Sequence, residues 1–243
     1  MRQILTVIVT AVLVMAFPRS VYAQHMEPAD SVSVSARDFI LPATLIGTGA
    51  FIHSIAHESL DVPVRDAFLG KDGKGIVTTV DDYLMYVPAV MAAGMSLLNV
   101  PAVHKYTDIW LETSMSMAIV FVLGKGIKFL TDSPRPDGMD NNSFPSGHCS
   151  VAFAGAELVR CEYGWKWGLA AYGVASSVAV LRLCNNAHWL SDVVFGAGMG
   201  ILSAQISRVL LNPVKNVLGI GVNVSPAVDP VSGTLCASLA FVF

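Results

Sequence analysis

The sequence predicts an all-α fold, a membrane-embedded bundle of about six helices, with a C-terminal β-hairpin tail. Three observations lead there. Hydrophobic residues make up 53% and charged residues 14% of the 243 positions, whereas an ordinary soluble domain carries about 25% charged residues. Apolar segments recur along the chain, several near the roughly 20 residues that a helix needs to cross a bilayer. The last stretch, GIGVNVSPAVDPVSGTLCASLAFVF, changes to a β-branched, alternating pattern. A net charge of −3 with no basic run speaks against a nucleic-acid partner.

In chain order, MRQILTVIVTAVLVMAFPRSVYAQ opens with Arg2, continues through an apolar run and exits through Val21, Tyr22 and Ala23. Residues 1–23 therefore read as a signal peptide, the alternative being an uncleaved first transmembrane helix. Residues 24–38 form a polar leader. The helical core is expected over 39–213, with segments at 39–56, 83–100, 114–130, 151–159, 168–184 and 189–211. The first of these is short and holds Pro42, Gly47 and Gly49, which marks it as a candidate re-entrant or surface helix. The polar connection after it ends in Asp81 and Asp82. Ala, Gly and Ser are frequent in the segments and let helix backbones approach closely. Trp110, Tyr163, Trp165, Trp167 and Trp189 sit at segment ends, as an aromatic belt would. Residues 214–243 form the tail, with a turn signal at Asp229-Pro230 and Ser232-Gly233. A lone hairpin is marginal, so the tail needs a surface to dock on. Cys149, Cys161, Cys184 and Cys236 form no Cys-x-x-Cys pair, and small core residues are the simplest reading of them.

Three short patterns carry chemistry. Lys128 and Arg135 offer a point charge and a planar fork at a helix end, which suits an anion with several oxygens, although such residues also snorkel to headgroups. Pro145-Ser146-Gly147-His148 feeds a helix N-terminus, where backbone N–H groups and the dipole favour an anion. Gly147 permits close approach, Ser146 can cap or donate, and His148 is placed to protonate a leaving group. His188 and Asp192 stand four apart on one helix face, so the carboxylate can fix the imidazole tautomer and leave the other nitrogen as a nucleophile. Arg182 adds a third cation just upstream. Ionisable groups at membrane depth are expensive and tend to be functional.

Lys128-x6-Arg135-Pro136, Pro145-Ser146-Gly147-His148 and Arg182-x5-His188-x3-Asp192 resemble the three signature motifs of the type-2 phosphatidic acid phosphatase family. Its superfamily also holds soluble bacterial acid phosphatases and vanadium haloperoxidases. The resemblance covers about residues 39–213 and departs at Leu181, where serine is usual before the arginine. It implies a phosphatase in which Lys128, Arg135 and Arg182 hold phosphate oxygens, assisted by Ser146 and the Gly147 amide. His188 would attack phosphorus to give a phosphohistidine, Asp192 would orient it, and His148 would protonate the departing alkoxide. It implies no metal and no cofactor.

The expected substrate is a phosphorylated membrane lipid, with the 4′-phosphate of lipid A ranked before undecaprenyl diphosphate and phosphatidic acid. A nonspecific periplasmic acid phosphatase and a catalytically silent envelope scaffold are the alternatives. No protein partner is predicted. Export of Gln24 followed by a full crossing of 39–56 would place the phosphate site in the cytoplasm. Arg37, Lys105, Arg160, Lys166, Arg208 and Lys215 share the opposite face, however, and the positive-inside rule then favours a bacterial inner-membrane protein whose site faces the periplasm.

Overall fold

The computed structural model describes residues 34–69, 75–98 and 100–219, together with the backbone of 223–228 and 235–240. The expected signal peptide, most of the polar leader and the expected tail turn lie outside the described residues. Among the described residues eight α-helices follow one another: α1 (Ile40–Ser54), α2 (Val62–Leu69), α3 (Val80–Leu84), α4 (Val87–Leu97), α5 (Tyr106–Thr131), α6 (Gly147–Tyr163), α7 (Trp165–Cys184) and α8 (Leu190–Leu218). Two more than the six expected segments are present. The extra ones, α2 and α3, have eight and five residues, too short for a helical period to show in a polar stretch. In the tail, strands Asn223–Val228 and Leu235–Ala240 pair antiparallel, Asn223 opposite Ala240.

The six longer helices alternate in direction, so their ends gather in two layers. The C-terminal ends of α1, α5 and α7 meet the N-terminal ends of α4, α6 and α8 at one layer, which also holds α2 and α3. There the His53 and Phe144 rings stack at 4.3 Å. The opposite layer holds Lys105, Arg160, Arg208 and Lys215. Glycine sets one of the turns between layers: Gly164, at φ 81°, is the single residue between α6 and α7, a backbone state that L side chains avoid.

α5, α7 and α8 are each long and apolar enough to cross a membrane. The pair Ala36–Ser54 and His57–Leu69, bent by 96°, would add a fourth span if counted as one. α8 buries 61% of its apolar stretch within the protein and α5 only 17%, so α8 is the axis and α5 the rim. α1 lies antiparallel along α8, with Gly49 against Phe195 and Gly198 against Leu45 and Ile46. The segment read as a candidate re-entrant or surface helix is packed against α8, and the 96° bend comes after it.

Small residues make the axis possible. A Cβ on Gly200 would stand 2.3 Å from the Ser150 carbonyl oxygen and 2.8 Å from the Ala154 nitrogen. Both are backbone atoms of α6 and cannot swing away. Gly200→Ala is therefore expected to destabilise the protein by about 1–3 kcal/mol or more, since overpacking must push α6 off α8. A thermal unfolding midpoint in detergent equal to wild type would contradict this.

The expected aromatic belt holds only in part. Trp165 and Trp110 are exposed. Trp189 is not: it is 8% exposed, its indole N–H donates to the Pro134 carbonyl at 2.9 Å, and Arg65 and His57 pack on its ring. Proximity to a segment end put it in the belt, but the chain turns inward there.

Candidate active site

The loop between α5 and α6 is shaped by its own polar groups. Asp140 accepts from Arg135 Nε at 2.8 Å and from the Asn142 N–H at 2.7 Å, while its carbonyl takes the Arg135 N–H at 2.9 Å. Lys128 Nζ, from the last turn of α5, donates to the Asn142 carbonyl. Lys128 and Arg135 thereby come to the wall of one cavity of about 1130 Å³, which Gly147, His148 and His188 also line. No atom stands within 4 Å of where a Cβ on Gly147 would project, so the start of α6 presents bare backbone to that space.

Three sequence-predicted residues sit behind this wall. Ser146 precedes α6 in extended conformation and is fully buried; its hydroxyl does not cap the helix and has no hydrogen-bond partner among the described residues. Asp192, also fully buried, collects three donors on Oδ2: Ser143 Oγ at 2.5 Å, the Trp189 N–H at 2.8 Å and His188 Nδ1 at 3.3 Å. With Nδ1 turned to this carboxylate, Nε2 is the free nitrogen of His188. Burial pushes the His188 imidazole down to about 4, against the hydrogen bond it donates to Asp192, which raises it. The ring is therefore neutral at physiological pH, which a nitrogen nucleophile requires.

Arg182 is the third. It is 7% exposed and turned onto Asp81, Nη1 to Oδ2 at 2.5 Å, with Asp82 at 4.0 Å and its own Nε unpaired among the described residues. Asp81 is fully buried and takes Asn185 Nδ2 on its other oxygen at 3.0 Å. Asp82 reaches His148, Oδ1 to Nε2 at 2.8 Å. Burial and the Arg182 charge lower the pKa of His148, while Asp82 raises it. Asp81, Asp82 and His148 bring ligand atoms within 4.8 Å of one another, but the guanidinium already occupies Asp81.

Sequence reasoning gave Asp81 and Asp82 no role, although it noted the pair. They stand roughly 100 residues from Arg182, and only the loop that docks on α7 joins them: the Ile76 N–H meets the Cys184 carbonyl at 2.7 Å and the Thr78 N–H meets Asn185 Oδ1 at 3.1 Å. Asp61 was missed as well. Fully buried, it accepts from the Ser191 N–H and hydroxyl, both at 2.8 Å, and from His57 Nδ1 at 2.9 Å. A carboxylate at the N-terminus of α8 complements the helix dipole and fixes the helix that carries Asp192.

Residues 109–214 match the PAP2 superfamily profile. A protein named Lipid A 1-phosphatase, from Porphyromonas gingivalis, is 34% identical over 133 residues, 53% of this chain and 30% of that protein. The matched stretch thus spans under a third of that relative's length. No solved structure matches the chain. The match encloses Lys128, Arg135, His148, Arg182, His188 and Asp192, so the part of this chain that resembles the PAP2 superfamily is the part that lines and backs the cavity.

Proposed function

We propose that the protein is a bacterial membrane phosphatase that removes a phosphate from a lipid headgroup through a phosphohistidine on His188. The observation that carries this is the shape of the cavity. From the cationic, histidine-lined mouth it continues as an apolar groove between α4 and α5, past Ala89, Val90, Ala93 and Leu97 on one side and Phe121, Val120, Met117 and Trp110 on the other. From Lys128 to Trp110 the groove follows α5 for about 27 Å, deeper than one leaflet of a hydrocarbon core about 30 Å thick. A soluble phosphomonoester needs no such groove; an acyl chain does.

In this reading the phosphate rests on Lys128, Arg135 and the Gly147 amide, with the Ser146 hydroxyl and Arg182 behind. His188 Nε2 attacks phosphorus in line, and the bond to the lipid oxygen breaks. His148 gives that oxygen its proton. Water then attacks the phosphohistidine, returns a proton to His148 and releases orthophosphate. The cationic clamp stabilises the charge of the transition state without a metal. Lipid A is the preferred substrate, at the 4′-phosphate expected from the sequence or at the 1-position that the relative's name gives. Phosphate release by detergent-purified protein in EDTA, with both lipid A positions, undecaprenyl diphosphate, phosphatidic acid and a soluble ester as substrates, tests the reading. Release only from the soluble ester would overturn it.

The two histidines set the pH profile. His188 must be neutral, so activity rises as pH climbs through about 4. His148 must be protonated, and its pKa lies below the usual 6.5, so activity falls as pH climbs further. A maximum of kcat/KM between about 4 and 6.5 is expected. Asp82→Asn removes a group that raises the pKa of His148, so its alkaline limb should move to lower pH. An unmoved limb would show that Asp82 does not position His148.

We further place the site on the periplasmic face, because the layer remote from it carries Lys105, Arg160, Lys166, Arg208 and Lys215. Met139, 82% exposed beside the mouth, is the position to label. In a cysteine-free background, Met139→Cys should react with a membrane-impermeant thiol reagent in cells with a permeabilised outer membrane. Strict protection would move the site to the cytoplasm.

A further inference from the structure

We propose that His104, Glu112 and Glu162 form a divalent-cation site in the layer remote from the phosphate cavity. Three elements converge there: the connection from α4 to α5 brings His104, the second turn of α5 brings Glu112, and the last turn of α6 brings Glu162. Glu162, 2% exposed, anchors the connection. Its Oε2 accepts from the His104 N–H at 3.0 Å, its Oε1 faces His104 Nδ1 at 2.8 Å, and its carbonyl accepts from the Val103 N–H at 3.1 Å.

Glu112 is the unexplained member. It is fully buried, and neither carboxylate oxygen has a hydrogen-bond partner among the described residues. A buried carboxylate without donors is costly, and a second one beside it makes matters worse. Arg208, the guanidinium on the neighbouring face of α8, forms no ion pair with Glu112 among the described residues; its Nη1 donates to Gln205 Oε1 at 3.0 Å and its Nε is unpaired.

One ligand atom each from His104, Glu112 and Glu162 lies within 4.8 Å of the other two. Donors about 2.1 Å from a metal stand roughly 3–3.5 Å apart, so small side-chain movements close the set. One imidazole and two carboxylates suit Zn²⁺ or Mn²⁺, whereas Mg²⁺ favours oxygen donors and keeps its waters. His104 also borders a cavity of about 510 Å³, an entry path for the ion. Bound there, the ion ties α5, α6 and the α4–α5 connection together and neutralises Glu112. Its place in the remote layer makes it independent of the phosphoryl chemistry.

The test uses full-length, untagged protein in detergent, stripped with chelator and then titrated with Zn²⁺, Mn²⁺ and Mg²⁺. Metal retained after desalting and the thermal midpoint are read together. The expected result is about one Zn²⁺ or Mn²⁺ per chain and a midpoint that climbs with ion concentration. Both should be lost in Glu112→Gln and in His104→Ala, and kept in His148→Ala, which dismantles the cluster with Asp81 and Asp82. Absence of uptake by wild type at saturating ion would overturn the proposal and assign neutralisation of Glu112 to a proton. Unchanged uptake in Glu112→Gln would overturn it too. Should the variants fail to fold, Co²⁺ in the wild type decides: weak d–d bands alone support nitrogen and oxygen donors, and an intense thiolate-to-cobalt band assigns the ion to a cysteine.

Discussion

His188→Ala is expected to lower phosphate release by on the order of 10⁴-fold or more, with the fold intact. Loss of a covalent nucleophile removes a reaction path rather than one contact in it. The side chain faces the cavity, so its removal enlarges a space that already exists and leaves the α6–α8 contact in place. Wild type trapped with labelled substrate should carry an acid-labile, base-stable phosphoryl group, and the variant should carry none. Turnover near the wild-type rate would overturn the nucleophile assignment. Asp192→Asn should cost less, on the order of 10³-fold, because the nucleophile stays while its tautomer and orientation are no longer fixed.

The legible and illegible parts of the molecule divide along one physical line. Lys128 with Arg135, Ser146 with Gly147 and His148, and His188 with Asp192 could be read because each group is close in sequence. Helical spacing or a loop-to-helix junction then places its members on one face. The structure brings Lys128, Arg135, Gly147, His148 and His188 to one cavity. The six longer helices were legible for the same reason, since apolar runs of this length have few other fates. Helix ends were not: α5 begins at Tyr106 rather than at 114, because Asp108 and Glu112 are buried among neighbouring elements and do not mark an exit from the bundle. α8 likewise continues to Leu218, through Pro213.

What sequence could not show is which distant carboxylate meets which donor. Asp61 and Ser191, Asp82 and His148, and Asp81 and Arg182 are separated by 130, 66 and 101 positions. No periodicity links such pairs; only the docking of the α1–α2 bend and of the loop before α3 does so. Those same carboxylates decide the resting electrostatics of the site. Arg182 reads from sequence as a third cation, and in the folded protein its Nη1 also pairs with Asp81.

Asp81→Ala should therefore have the largest effect on stability of any single change near the site. Arg182 would be left 7% exposed with no ion-pair partner on Nη1 among the described residues except Asp82, 4.0 Å away and half exposed itself. Breaking a buried pair from one side costs about 3–5 kcal/mol, because the surviving charge stays desolvated. The loss should show as a lowered thermal midpoint in detergent without phosphate. Inorganic phosphate offers the guanidinium a new counter-ion, so saturating phosphate should raise the midpoint of Asp81→Ala more than that of wild type. Such a difference would place Arg182 within reach of the bound anion, which its burial behind the wall leaves as an open demand of the mechanism. Equal shifts in the two proteins would mean that Arg182 holds α3 to α7 and that the phosphate rests on Lys128, Arg135 and the start of α6 alone.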